Sequence, residues 1–151
     1  MQELTFRRRV EFADTDMAGI VHFARFFVFM ETAEHRFREE IGFPVDGDRT
    51  EDGAQITWPR VSVTCDYRSP ARFGDELEIG VRVVEKGRSS LTFAFTFAAS
   101  GRAVAGGRVT SVCCRLAPEL RAVPIPLPLA AAIEILPEPP AEAERGSPSK
   151  S

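Results

Sequence analysis

Asp14 and Asp16 flank Thr15 in EFADTDMAGIVHFARFFVFMETAEHRF, the stretch from Glu11 to Phe37 that links an alternating segment to the chain's one long amphipathic pattern. An aspartate with an ordinary pKa of about 4 is ionised at neutral pH, so it can attack a carbonyl or deprotonate water without a histidine. Gly19 supplies a backbone position free of side-chain clash, and a helix opens a few residues later. That helix end carries free N–H groups and partial positive charge, which suits chemistry on a carbonyl whose oxygen becomes an anion. His22, beside the helix start, is a further candidate. The residue types alone do not choose between the two aspartates, and Asp is also favoured in turns and ahead of helices for purely structural reasons.

The elements that hold these residues can be read from periodicity. Leu4, Phe6, Val10 and Phe12 share one parity while Arg7, Arg9 and Glu11 take the other, the pattern of a half-buried strand, with Arg8 the exception. From about Ala24 to Ile41, Phe26, Met30, Ala33, Phe37 and Ile41 recur at three- and four-residue steps and predict a helix, its apolar stripe widened by Phe23, Phe27 and Val28. Glu31, Glu34, His35, Arg38 and Glu39 form its polar face, with Glu34 and Arg38 in the favourable i, i+4 order. Gly42 and Pro44 end it, and VDGDRTEDGAQ reads as a surface loop.

Four strands follow. Val61, Val63, Cys65 and Tyr67 alternate with polar residues, as do Leu77, Ile79, Val81 and Val83, and then Leu91, Phe93, Phe95 and Phe97. Compact glycine turns join these runs, so antiparallel hairpins are expected. The last strand runs from about Ala103 to Leu116, and its Gly106-Gly107 pair signals either a bulge or a close backbone approach. Residues 129–136 read as a short closing segment, and the proline-rich residues 137–151 as a disordered tail. The sum is an α+β domain, one helix against an antiparallel sheet, with the phenylalanine-rich stripe suggesting a sheet that curls around the helix.

Composition narrows the function classes. The 151 residues suit one domain, and a net charge of −3 with a pI near 5.5 disfavours general attraction to nucleic acid or anionic membrane. No apolar run of about 18 residues is present to span a bilayer, so no membrane insertion is expected. The 3 cysteines, Cys65, Cys113 and Cys114, fit neither a zinc site nor a disulfide framework and imply a reducing, cytoplasmic setting. No cofactor or metal is called for.

Two stretches carry a family likeness. DTDMAGIVHFARFF and YRSPARFGDELEIGVRV, in that order, resemble the acidic turn with aromatic helix start, and the strand with proline turn, of the hotdog-fold acyl-CoA thioesterases, in the 4-hydroxybenzoyl-CoA thioesterase and YbgC-like branch. The likeness covers roughly residues 3 to 128. It implies a sheet wrapped around the helix, and homodimers or homotetramers with active sites at the dimer interface. It implies hydrolysis of an acyl-CoA to a carboxylic acid and free CoA.

Carried over by position, the likeness puts the catalytic carboxylate on Asp16, as nucleophile or general base, and the oxyanion donor on the backbone N–H of Phe23. A thiol of pKa about 8.5 departs readily as thiolate, so no general acid is required. The family often has His where this chain has Phe23, so no histidine role transfers to His22. The nucleotide end of CoA falls on Lys86, Arg88 and Ser89, whose cations and hydroxyl suit phosphate. Another hotdog branch uses a helix carboxylate, but Glu31 and Glu34 read here as a solvated face. Trp58, Arg60 and Thr64 are candidates to line a partner's pocket. The alternatives are a non-catalytic hotdog module binding acyl groups or a partner protein and, less consistent with His35 on the polar face, a hotdog dehydratase.

Overall fold

The computed structural model describes residues 3–138, so the sequence expectations for 139–151 lie outside the described residues. Strand β1 (Leu4–Arg9) leads through a short 3-10 turn at Phe12–Asp14 to helix α1 (Arg25–Glu40). After a second such turn come β2 (Ile56–Thr57), β3 (Arg60–Tyr67), β4 (Glu76–Lys86), β5 (Ser90–Ala99), β6 (Arg102–Val112), β7 (Cys114–Arg115), β8 (Arg121–Ala122) and helix α2 (Leu127–Ala132). Strands β1-β4-β5-β6-β3 form one antiparallel sheet in that order, and β2-β7-β8 a small second one. Among the described residues no helix is long and apolar enough to cross a membrane.

The two central strands behave as their alternation predicts. Leu77, Ile79, Val81 and Val83 of β4 and Leu91, Phe93, Phe95 and Phe97 of β5 are all buried. Helix α1 lies on this face, its Phe26 ring edge-on to Phe97 at 5.2 Å and its Phe37 ring to Phe93 at 5.5 Å. Each such ring contributes roughly 1.5–3 kcal/mol of hydrophobic burial, so this seam holds the helix to the sheet. A Cβ on Gly107 would sit 2.6 Å from the Thr64 carbonyl oxygen and against the end of Met30. The pairing of Gly106 and Gly107 runs in unbroken register on both sides. Gly107 therefore marks a close approach of helix and neighbouring strand, a Cβ on Gly106 would make only an ordinary 3.6 Å contact, and the sheet's irregularities lie elsewhere, between Arg60 and Ser62, Val83 and Glu85, and Phe97 and Ala98.

Several expectations need correction. The inward parity assigned to β3 fails, since Val61 is 61% exposed and Val63 and Tyr67 are also exposed. Among the described residues strand β3 ends the sheet and pairs only with β6, so alternation there reflects a second surface rather than this core. Phe12, Phe23 and Val28 are exposed as well, while Phe29, absent from the expected stripe, is fully buried.

On α1, Glu34 and Arg38 are buried and do not pair with each other. Glu34 binds Arg60 of β3 at 3.0 Å, and Arg38 binds Asp48, buried in a loop expected to lie on the surface. The expected last strand divides at the buried Cys113 into β6 and β7. The expected closing segment overlaps α2, whose Leu129 enters the core together with Ile133 just beyond the helix, and Ile135 then bridges in parallel to Val83.

Candidate active site

The turn after β1 is a tight backbone hairpin. Its 14–16 arm runs against 20–22. The His22 N–H donates to the Asp14 carbonyl at 2.9 Å, Thr15 bridges Val21, and the Asp16 N–H donates to the Ile20 carbonyl at 2.9 Å. The Gly19 N–H closes the loop onto the Asp16 carbonyl at 3.0 Å, with Gly19 at a φ of 77° that suits glycine. The Asp16 carboxylate, half-buried, accepts one bond, from the Ala18 N–H at 2.8 Å. This is an Asx-type contact that orients the group and leaves its other oxygen without a protein partner among the described residues.

One arm of the hairpin feeds straight into α1, which has no side-chain cap of the usual kind. His22 supplies a substitute. Its Nδ1 accepts the Ala24 N–H at 3.1 Å and its ring stacks on Phe23 at 4.6 Å. The Phe23 carbonyl accepts the Tyr67 hydroxyl at 2.8 Å; although the side chain is partly exposed, local desolvation of that hydroxyl, with Cys65 beside it, pushes its pKa up to about 12, so it stays a donor. The Phe23 N–H itself meets no acceptor among the described residues. A free amide of this kind at a helix start is a ready donor to an oxyanion.

Beneath the hairpin lies a buried ion cluster. The Asp14 carboxylate is 1% exposed. Its Oδ1 accepts Arg25 Nε at 3.0 Å, Arg25 Nη2 at 2.7 Å and Arg8 Nη2 at 3.4 Å, and its Oδ2 accepts the Glu11 N–H at 2.8 Å. Burial alone would raise this carboxyl's pKa, but the Glu11 amide, Arg25 and Arg8 together outweigh it and hold it below the ordinary aspartate value. Asp14 is thus a fixed anion with its oxygens occupied, and Asp16 the acid of the pair with capacity to react.

Arg8 and Arg25 went unassigned in the sequence, yet both left signals. Arg8 breaks the β1 alternation, and its guanidinium lies over the buried Phe29 ring at 4.5 Å. Arg25 puts a cation in the first turn of a helix, where the dipole disfavours it unless an anion is close.

The expected phosphate-binding residues are divided. Lys86 Nζ donates to the carbonyls of Ala130 and Ile133 at 2.8 and 3.0 Å, so its ammonium caps the end of α2. Arg88 is exposed and Ser89 half-buried on the turn between β4 and β5. Trp58, a candidate pocket residue, instead donates from Nε1 to Asp48 at 2.7 Å inside the core. Burial raises the Cys113 thiol to about 12, which removes it as a nucleophile.

Comparison with known proteins agrees with this architecture. Residues 10–133 match the thioesterase-like superfamily. A 1,4-dihydroxy-2-naphthoyl-CoA hydrolase of Thermosynechococcus vestitus is 30% identical over 135 residues, 88% of this chain and 90% of that protein. Among solved structures, a gentisyl-coenzyme A thioesterase superposes with a TM-score of 0.76 at 30% identity, covering 87% of this chain and 100% of the other. A 1,4-dihydroxy-2-naphthoyl-CoA thioesterase from Synechocystis gives 0.78 at 26% identity, covering 87% and 95%. The chain belongs to the thioesterase-like superfamily of hotdog-fold enzymes, and it is a thioester hydrolase.

Proposed function

We propose that this enzyme hydrolyses an aromatic acyl-CoA, with Asp16 as nucleophile or general base and the Phe23 N–H as oxyanion donor. The free Phe23 amide, on the same braced hairpin as a carboxylate with an open oxygen, is the observation that carries this reading. Attack on the thioester carbonyl, by Asp16 or by water it deprotonates, puts negative charge on the carbonyl oxygen. The Phe23 N–H and the helix end meet that charge as it develops. The C–S bond then breaks and CoA leaves as thiolate. If Asp16 is the nucleophile, water hydrolyses the mixed anhydride and frees the carboxylate. An aromatic acyl group is favoured because the hydrolase and thioesterase relatives just named are described for dihydroxynaphthoyl- and gentisyl-CoA.

His22 acts in this scheme as the cap that orients the helix start. With Lys86 committed to α2, Arg88 and Ser89 are the residues of their turn left to meet the CoA phosphates. Thiol release from a panel of aroyl- and acyl-CoAs is the direct test. Asp16→Asn should reduce kcat by about 100-fold or more with the fold intact. Undiminished turnover by that variant would remove the assignment, and no turnover of any thioester by the native chain would favour an acyl-binding module.

The exposed β3 edge, with Val61 and Val63 outward, supports a second copy continuing the sheet there. Light scattering should then return at least twice the 16.7 kDa chain mass. A stable monomer at micromolar concentration would defeat the paired arrangement.

A further inference from the structure

We infer that Asp14 and Arg25 form a positioning clamp for the reaction, aligning the Asp16 carboxylate and the Phe23 amide without touching substrate. The inference rests on the proposed roles of Asp16 and Phe23. Asp14 ties together four pieces of chain. Its carboxylate takes the Arg25 side chain from α1 through two nitrogens at 2.7 and 3.0 Å, Arg8 from β1 at 3.4 Å, and the Glu11 amide at 2.8 Å. Its backbone carbonyl takes the His22 N–H at 2.9 Å. Asp16 stands two residues after Asp14, and Phe23 lies between His22 and Arg25, so both reacting groups are bracketed by atoms bound to this one residue.

A simpler reading, in which the cluster only stabilises the fold, is weakened by where it sits. Arg25 is 35% exposed and Arg8 29% exposed, so the cluster borders the surface at the open end of the hairpin. Backbone bonds close the hairpin, and His22 Nδ1 and the Tyr67 hydroxyl brace the helix start, but the clamp is the contact that joins the hairpin to side chains of both α1 and β1, and Asp16 itself has one hydrogen bond to its carboxylate. A purely electrostatic role is separable too. Two arginines on one aspartate leave a surplus positive charge near the helix end, and Asp14→Asn would increase that surplus. If the charge itself aided oxyanion formation, this variant would gain activity or hold it. The clamp predicts the reverse.

The test uses the full-length enzyme with an aroyl-CoA that it turns over, comparing Asp14→Asn, Arg25→Met, Arg25→Lys and the Asp14→Asn/Arg25→Met double variant. Each single variant except Arg25→Lys should lose about 10- to 100-fold in kcat, the cost of a reacting group displaced by an ångström or so, with KM held within about threefold. The double variant should lose little more than either single one, because the two side chains act as a unit. Arg25→Lys keeps the charge but not the two-nitrogen contact, and should recover part of the loss.

Unchanged kcat in folded Arg25→Met and Arg25→Lys would overturn the inference, as would losses that multiply in the double variant or that appear in KM alone. If Asp14→Asn fails to fold, the two Arg25 variants still decide. Asp16→Asn is run alongside: full activity there defeats the catalytic reading itself, whereas its collapse with Arg25→Met unaffected defeats the clamp alone.

Discussion

The two ends of α1 use the same chemistry for opposite purposes. At each end an arginine of the helix binds a loop aspartate through a short ion pair, Arg25 with Asp14 at 2.7 Å and Arg38 with Asp48 at 2.6 Å. At the far end the pair is sealed. Arg38 is 1% exposed, one of its nitrogens meets both Asp48 oxygens, and the Trp58 indole donates to Asp48 as well. At the near end the arginine reaches the surface, and within three residues of the pair lie a free backbone amide, a half-buried aspartate and an exposed histidine. One pair closes a core. Its counterpart leaves a rigid but open rim, the condition under which a carboxylate and an amide can meet a substrate.

After the loss expected of Asp16→Asn, the largest effect should come from cutting the sealed pair. Arg38→Met strands a buried Asp48 with the Trp58 N–H as its remaining side-chain partner, and should cost about 3–5 kcal/mol of stability in urea unfolding. The Arg38→Met/Asp48→Leu double variant should regain most of that loss, since a buried pair replaced by apolar side chains is often near neutral. In both, the folded fraction should retain native kcat. A fall in kcat for Arg38→Met matching that of Arg25→Met would mean that the two ends are not functionally distinct.

What could be read from the sequence follows the same divide between local pattern and long-range pairing. The central strands and the helix were legible because period-2 and 3.6-residue repeats report which face meets one shared core. The polar face of α1 was misread at Glu34 and Arg38 because periodicity counts charge as exposure, while their partners lie 26 residues away at Arg60 and 10 away at Asp48. The alternation in β3 was read as core, although an edge strand shows it equally well when its second face serves another surface.

At the site, the expected Asp16, His22 and Phe23 share one hairpin; the family likeness pointed to Asp16, but the residue types alone did not say which acid was free. That distinction depends on Arg8 and Arg25 closing over Asp14, a tertiary event signalled only by one off-parity residue and one misplaced cation. The Lys86 ammonium was read as a phosphate ligand for a similar reason, because nothing local announces that α2 folds back to take it.

The smallest effect in the series separates the two remaining buried carboxylates by the sign of their pH dependence. Asp14 has its pKa lowered below 3.8, so its contribution to stability is present above that value and is lost as pH falls through the folded pKa. Glu34 behaves oppositely. Burial raises its pKa above 4.5, and Arg60, His35 and Arg38 only partly offset the cost of keeping it charged. The folded state therefore holds that proton more tightly than the unfolded chain, and stability declines as pH rises from about 4.5 through the folded value.

Glu34→Gln removes this slope while retaining a hydrogen-bonding group toward Arg60, whose side chain is 26% exposed and can be solvated. Its stability relative to native should improve from mildly acidic pH toward neutrality, with a net change on the order of 1 kcal/mol. Acid unfolding of this variant then reports the Asp14 cluster with the opposing contribution gone, and its midpoint should depend on Arg25. A Glu34→Gln protein that loses stability relative to native as pH rises would show that Arg60 overcompensates burial, making Glu34 a second tightly held anion like Asp14.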